Sequence, residues 1–225
     1  MKVVAHETSR VTWLFPVEEL LPLHGVNDPT FLPKLVARYS FAQVPNTNVT
    51  VEEFKRDGFR FGAGFYGEQD HPGSINEFWV YNDGFVAAAQ TTDIGQRFLV
   101  DLLTWLRVEW SFRAVTSIRE LFLSNLVVAF DRPLGGLLAA HEAISSVISP
   151  KAAQLFRTSD TMGLVRLDFE FDRTSENLKL AAPRFSLERR ANVPFDQERY
   201  FASAPLSTSD HLEVLEAIEQ LIPHK

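Results

Sequence analysis

The sequence predicts an α+β fold: curved antiparallel sheet with helices packed on one face. Three observations predict it. Short runs alternate apolar and polar residues with period two, the pattern of a strand with one face buried. An Asn82-Asp83-Gly84 triplet stands between two strand-like runs and marks a hairpin turn. Two stretches, 93–112 and 208–222, repeat apolar residues at helical spacing behind an acidic start.

Taken in order, residues 11–16 form a short strand stopped by Pro16. A turn around 25–28 follows. Thr30 is placed to cap a helix with Pro33 in its first turn, where the missing N–H costs nothing. Leu32, Leu35, Val36 and Tyr39 then share a face. Residues 59–66 alternate as a strand holding two glycines. Residues 76–82 and 85–91 are the arms of the hairpin. Asp93 and Gln96 form an acidic cap for the next helix, with Phe98, Leu99, Leu102, Leu103, Leu106 and Trp110 inward.

Residues 121–130 are almost continuously apolar, as in a strand buried on both faces. A helix is expected over about 137–148, ended by Pro150. In 163–172, Val165, Leu167, Phe169 and Phe171 point one way, and Arg166, Asp168, Glu170 and Asp172 the other. Strands follow at 183–190 and 199–204. Thr208, Ser209 and Asp210 open the last helix, with Leu212, Leu215, Ile218 and Ile222 inward.

Residues 11–110 and 119–222 thus share the order β-α-β-β-β-α. The reading is of two tandem units, 1–112 and 113–225, packed as one compact domain. In element order alone this resembles the helix-grip and TATA-binding-protein-like group of folds. The DNA-binding member of that group uses a basic concave sheet. Here the formal net charge is -7, which opposes phosphate binding, so nucleic acid is not expected as a primary partner.

Composition narrows the chemistry further. The chain has 225 residues, 19 of them Phe, enough large apolar side chains for a substantial sheet-based core. It contains no cysteine, which excludes disulfides, thiolate catalysis and cysteine-held metals. A reducing, cytoplasmic setting is the simplest expectation. The amino-terminal residues show no apolar core of a signal peptide. The most apolar stretch, 94–112, carries Arg97, Asp101, Arg107 and Glu109, so no membrane span is expected.

Candidate chemistry is sparse. Gly62-Ala63-Gly64-Phe65-Tyr66-Gly67 matches G-x-G-x-x-G, but no helix opens at the last glycine. Glycines inside a strand pattern mark a bulge or a close backbone contact instead. His71, on a Pro/Gly loop, and His141, on an apolar helix face, are the weak candidates for a hydrolase using His with Asp/Glu. No metal-ligand spacing is present, and no cofactor is expected. The richest charge pattern is the polar face of the late sheet: Arg166, Asp168, Glu170, Arg184, Glu188 and Arg190. Cross-strand ion pairs are its simplest role, and docking of a protein or an anion is its functional one.

These features rank three functions. First is a non-catalytic interaction or assembly subunit, through a protein partner or self-association. Second is a small-molecule-binding or sensing domain, since a curved sheet gripping a helix leaves a pocket. Third is the hydrolase.

Overall fold

The computed structural model describes residues 1–21, 28–67, 73–138, 141–156, 163–170 and 183–223. They form an α+β protein with antiparallel sheet. The strands are β1 (Lys2–His6), β2 (Ser9–Leu14), β3 (Phe59–Tyr66), β4 (Gly73–Tyr81), β5 (Gly84–Ala89), β6 (Arg119–Ala129), β7 (Arg166–Phe169), β8 (Phe185–Arg189) and β9 (Arg199–Ala204). The helices are α1 (Phe31–Tyr39), α2 (Val51–Asp57), α3 (Thr92–Trp110), α4 (His141–Phe156) and α5 (Thr208–Leu221). Two elements, β1 and α2, add to the order expected for the first half. No helix among the described residues is long and apolar enough to cross a membrane.

The chain divides into two compact units. One comprises Glu7–Ser124 with Leu206–Thr208; the other comprises Met1–His6, Asn125–Pro205 and Ser209–Lys225. In the first unit the hydrogen-bonded strand order is β3-β4-β5-β2-β6. The hairpin between β4 and β5 closes with Tyr81 opposite Gly84. Gly84 takes φ 148°, and a Cβ there would lie 1.9 Å from the Trp13 carbonyl oxygen, so only glycine fits. The β3 glycines answer to packing. A Cβ on Gly64 would meet the Phe41 ring at 2.3 Å, and one on Gly62 would meet Gln43 at 2.6 Å. Val11, Trp13, Phe61, Ile75, Phe78, Phe85, Ala87 and Ala89 fill the core beneath α3.

Two caps differ from expectation. Thr91, two residues before the expected Asp93, caps α3 by accepting from Ile94 N at 3.3 Å. Gln96 instead donates to Glu120, 3.2 Å away. Thr30 offers α1 no side-chain cap; its N–H and hydroxyl both go to Asp28. Helix α2 carries a complete capping box between Thr50 and Glu53, a pairing the sequence reading overlooked.

In the second unit β6 pairs with β1 and β9, and the order continues through β8 to β7. Leu126, Val128, Phe130, Leu187, Tyr200 and Ala202 pack with Leu215 and Ile222 of the α5 segment. Pro150 lies inside α4 rather than ending it. Ser146, whose carbonyl Pro150 leaves without a helical donor, is exposed, so water can satisfy it. The apolar side of β7 is not buried as expected: Val165 is 50% and Phe169 57% exposed. Phe171 and Asp172 lie outside the described residues.

His211 on α5 is fully buried, 5.8 Å edge-on from the Phe185 ring. Burial lowers its pKa from 6.5 to about 4. Below pH 6.5 the unfolded chain takes up a proton that the folded chain refuses until pH 4. Stability contributed at neutral pH is therefore lost as pH falls, by at most ~1.4 kcal/mol per pH unit across that window. Urea denaturation at pH 7.5 and pH 5 should show this fall, and His211→Leu should make the pH dependence shallower by the same amount.

Candidate functional site

The most distinctive site is an apolar cavity in the Glu7–Ser124 unit. Helix α1 presents Phe31, Leu32 and Leu35 to the sheet, because these apolar positions share one face of its turns. Strands β3 and β4 answer with Phe59, Phe61, Phe78 and Val80. Leu102 and Leu106 of α3 close the deep end, and Phe54 of α2 closes one side. These walls leave a cavity of about 420 Å³. Among the described residues that line it, only Thr47 has a polar side-chain atom, and Thr47 is exposed. Leu21, 40% exposed, also lies at the solvent edge.

The position of α2 follows from its C-terminus. Gly58 ends the helix with φ 65°, and a Cβ there would meet Tyr81 and the Val80 carbonyl at 2.7 Å. The glycine thus lets the helix end lie against β4 and brings Phe54 to 4.7 Å from Phe59. At the other end of the cavity Phe31 stacks on Phe112 at 5.9 Å and meets Trp110 edge-on at 5.0 Å. Rigid rings in offset and edge contacts hold the wall shape without filling the space.

A second opening, about 380 Å³, is polar and is lined by Arg38, Tyr39, Tyr66, Arg97 and Asp101, among others. Asp101 accepts from Arg38 Nη2 at 2.9 Å and from the Tyr39 hydroxyl at 2.7 Å. Burial, reinforced by the hydrogen bond to Asp101, raises the Tyr39 pKa well above its ordinary value. Both groups are therefore occupied in tying α1 to α3 and make poor proton-transfer groups.

The structure places the sequence-derived residues as follows. Arg166 lies opposite Glu188 and pairs with it at 3.4 Å and with Asp168 at 2.8 Å. Arg184 pairs with Glu170. Arg190 is exposed, its backbone N–H bonded to Arg199 O at 2.9 Å. These six residues come together on β7, β8 and their ends. Arg189, next in sequence, turns the other way. Its nearly buried guanidinium donates to Glu198 at 3.1 Å and to the Tyr200 hydroxyl at 2.6 Å, so it does not join the exposed Arg184 and Arg190. His71 lies outside the described residues. His141 begins α4. Among the described residues, no three His, Asp or Glu side chains cluster to hold a metal.

The sequence placed Leu32, Leu35, Leu102 and Leu106 on inward helix faces but did not mark a cavity between them. Its signal there is diffuse: Phe31, Phe54 and Phe59 stand out only as part of the Phe excess. No protein-family model matches the chain, and no curated protein is significantly similar to it.

A cavity of this volume predicts an unusual mutational response. Val80→Phe, directed into the space, should leave stability unchanged or raise it. Ala87→Leu, at a fully buried position of close packing, should cost about 1–3 kcal/mol. Equilibrium denaturation of the two variants checks this contrast.

Proposed function

We propose that this protein is a binding or sensing domain for a small apolar molecule, held in the Glu7–Ser124 unit between α1, α2, α3 and the sheet. One observation carries the reading: a cavity of about 420 Å³ whose walls are almost wholly aromatic and aliphatic. The volume falls within the ~300–1,000 Å³ usual for small-molecule sites. A space of this size between apolar walls forfeits dispersion contacts that close-packed interiors make. An apolar occupant restores them and leaves water at ~25 cal/mol per Å² of area buried. The described wall is apolar, which suits holding a molecule by contact, and the proposal is of binding.

In fold terms we extend the proposal to a duplicated α+β architecture of the helix-grip type. Strand order β3-β4-β5-β2 with α3 following β5, and β7-β8-β9-β6 with α5 following β9, support that extension.

A second reading, an interaction or assembly role, is favoured by a separate observation. Ile144, Val147 and Ile148 form an exposed apolar stripe at i, i+3, i+4 on α4, at 55%, 61% and 43% exposure. A stripe of this kind suits a protein partner or a second copy of the chain.

Titration with an environment-sensitive apolar dye tests the first reading. The dye should bind one site per chain and raise the melting temperature, and Val80→Trp should abolish both effects while the fold persists. A dye that binds wild type and Val80→Trp equally would sink it. For the second reading, sedimentation should show self-association that Val147→Glu disrupts; a monomer that retains no partner would count against it.

A further inference from the structure

The apolar cavity of the Glu7–Ser124 unit has two unlike ends. At the deep end Leu35, Phe78, Leu102 and Leu106 are each at most 5% exposed. At the other end Leu21 and Thr47 are exposed, and Pro45 is half-buried. The hollow therefore runs from a closed apolar end to an edge at the solvent.

The backbone behind the walls offers nothing to a buried polar group. On the sheet side Phe59 pairs with Val80 and Phe61 with Phe78, and Val80 pairs again with Phe85 of β5. Ladder N–H and C=O groups point along the sheet to neighbouring strands and not into its face. On the helix side Leu35, Leu102 and Leu106 lie within α1 and α3, whose interior backbone groups bond along the helix. Near the mouth, Val17 N donates to Asn82 O at 3.1 Å, and Leu20 O accepts from Arg113 N at 3.0 Å. The Thr47 hydroxyl is the exception: among the described residues it has no partner.

We infer that the occupant is a small soluble amphiphile with one polar end, its apolar body enclosed between α1, α3 and the sheet and its single polar group left at the mouth beside Thr47. This rests on the apolar-ligand reading above and narrows it. A hydroxyl carried into the deep end would lose its water and meet no donor or acceptor, which weakens binding steeply. The same group at the mouth keeps its water and gains the Thr47 hydroxyl, which can both donate and accept. A molecule polar at both ends is refused, because one end is buried whichever way it enters.

The test compares n-octanol with the α,ω-octanediol of the same length, each titrated into the full chain and followed by Leu and Thr methyl signals assigned by substitution. n-Octanol should saturate one site, with its terminal methyl giving cross-relaxation to Leu102 and Leu106 and its carbinol methylene to Thr47. The diol should bind more weakly by roughly 30-fold or more, the loss expected for a hydroxyl buried without a partner. A diol that binds within a few-fold of octanol would overturn the single-ended assignment. So would octanol seated with its hydroxyl against Leu102. If an apolar dye binds and octanol does not, the amphiphile falls and the apolar site stands. If neither binds, both fall.

Discussion

The close seat of α3 on β2 and β5 is the contact on which the Glu7–Ser124 unit depends. It exists because the facing residues are small. A Cβ on Gly95 would lie 3.2 Å from a Val11 methyl and 3.5 Å from the Ala87 carbonyl oxygen. Ala87, Ala88 and Ala89 on β5 are all fully buried. Away from that seat the side chains become large. Tyr39, Phe41, Phe61, Phe78 and Phe98 form a continuous aromatic cluster, with Tyr39 edge-on to Phe98 at 4.9 Å. The helix layer is thus drawn in over β5 and propped apart over β3 and β4. The apolar cavity opens where bulky rings hold α1 away from the sheet.

Polar contacts then fix what the packing leaves free. Arg38, Tyr39 and Asp101 fasten α1 to α3 at the edge of the aromatic cluster. A chemically similar trio, Arg189, Glu198 and Tyr200, is built within the other unit, where Glu198 also accepts from Leu134 N at 3.2 Å. Burial, then the bond to Glu198, raises the Tyr200 pKa as it does for Tyr39. In each trio the phenol donates to the carboxylate and the arginine neutralises it; the Arg189–Glu198 pair is nearly buried, while the Arg38–Asp101 pair lies at the surface.

Much of the secondary structure was legible in the sequence because its signals are local. The Asn-Asp-Gly turn, the alternation of 59–66 and the apolar face of α3 each depend on a few neighbouring residues. The misreadings came where a nearby competitor or a distant partner decided. Thr91 took the cap assigned to Asp93 because its side chain sits one residue outside the helix, where the first free N–H groups converge. Pro150 was read as a stop, but exposure of Ser146 lets the helix run on. Period two placed Val165, Leu167 and Phe169 on one side of β7, but it says which residues share a face and not whether anything covers it. The apolar cavity was not legible as a cavity, because it is enclosed by side chains from segments tens of residues apart.

The seat of α3 also governs how freely this chain can drift in evolution. At Gly84 an added carbon strikes a carbonyl, at Gly95 it presses on a packed methyl, and Ala87 between the two layers is fully buried. The cavity walls have no such constraint: a Phe exchanged for Leu there alters the hollow and leaves the helix seated. Descendants of this sequence are therefore expected to keep a sparse skeleton of small residues while the lining turns over. Comparisons weighted toward large hydrophobic positions would pass over such kinship, and a pattern of Gly84, Ala87 and Gly95 at fixed spacing offers a better thread to follow.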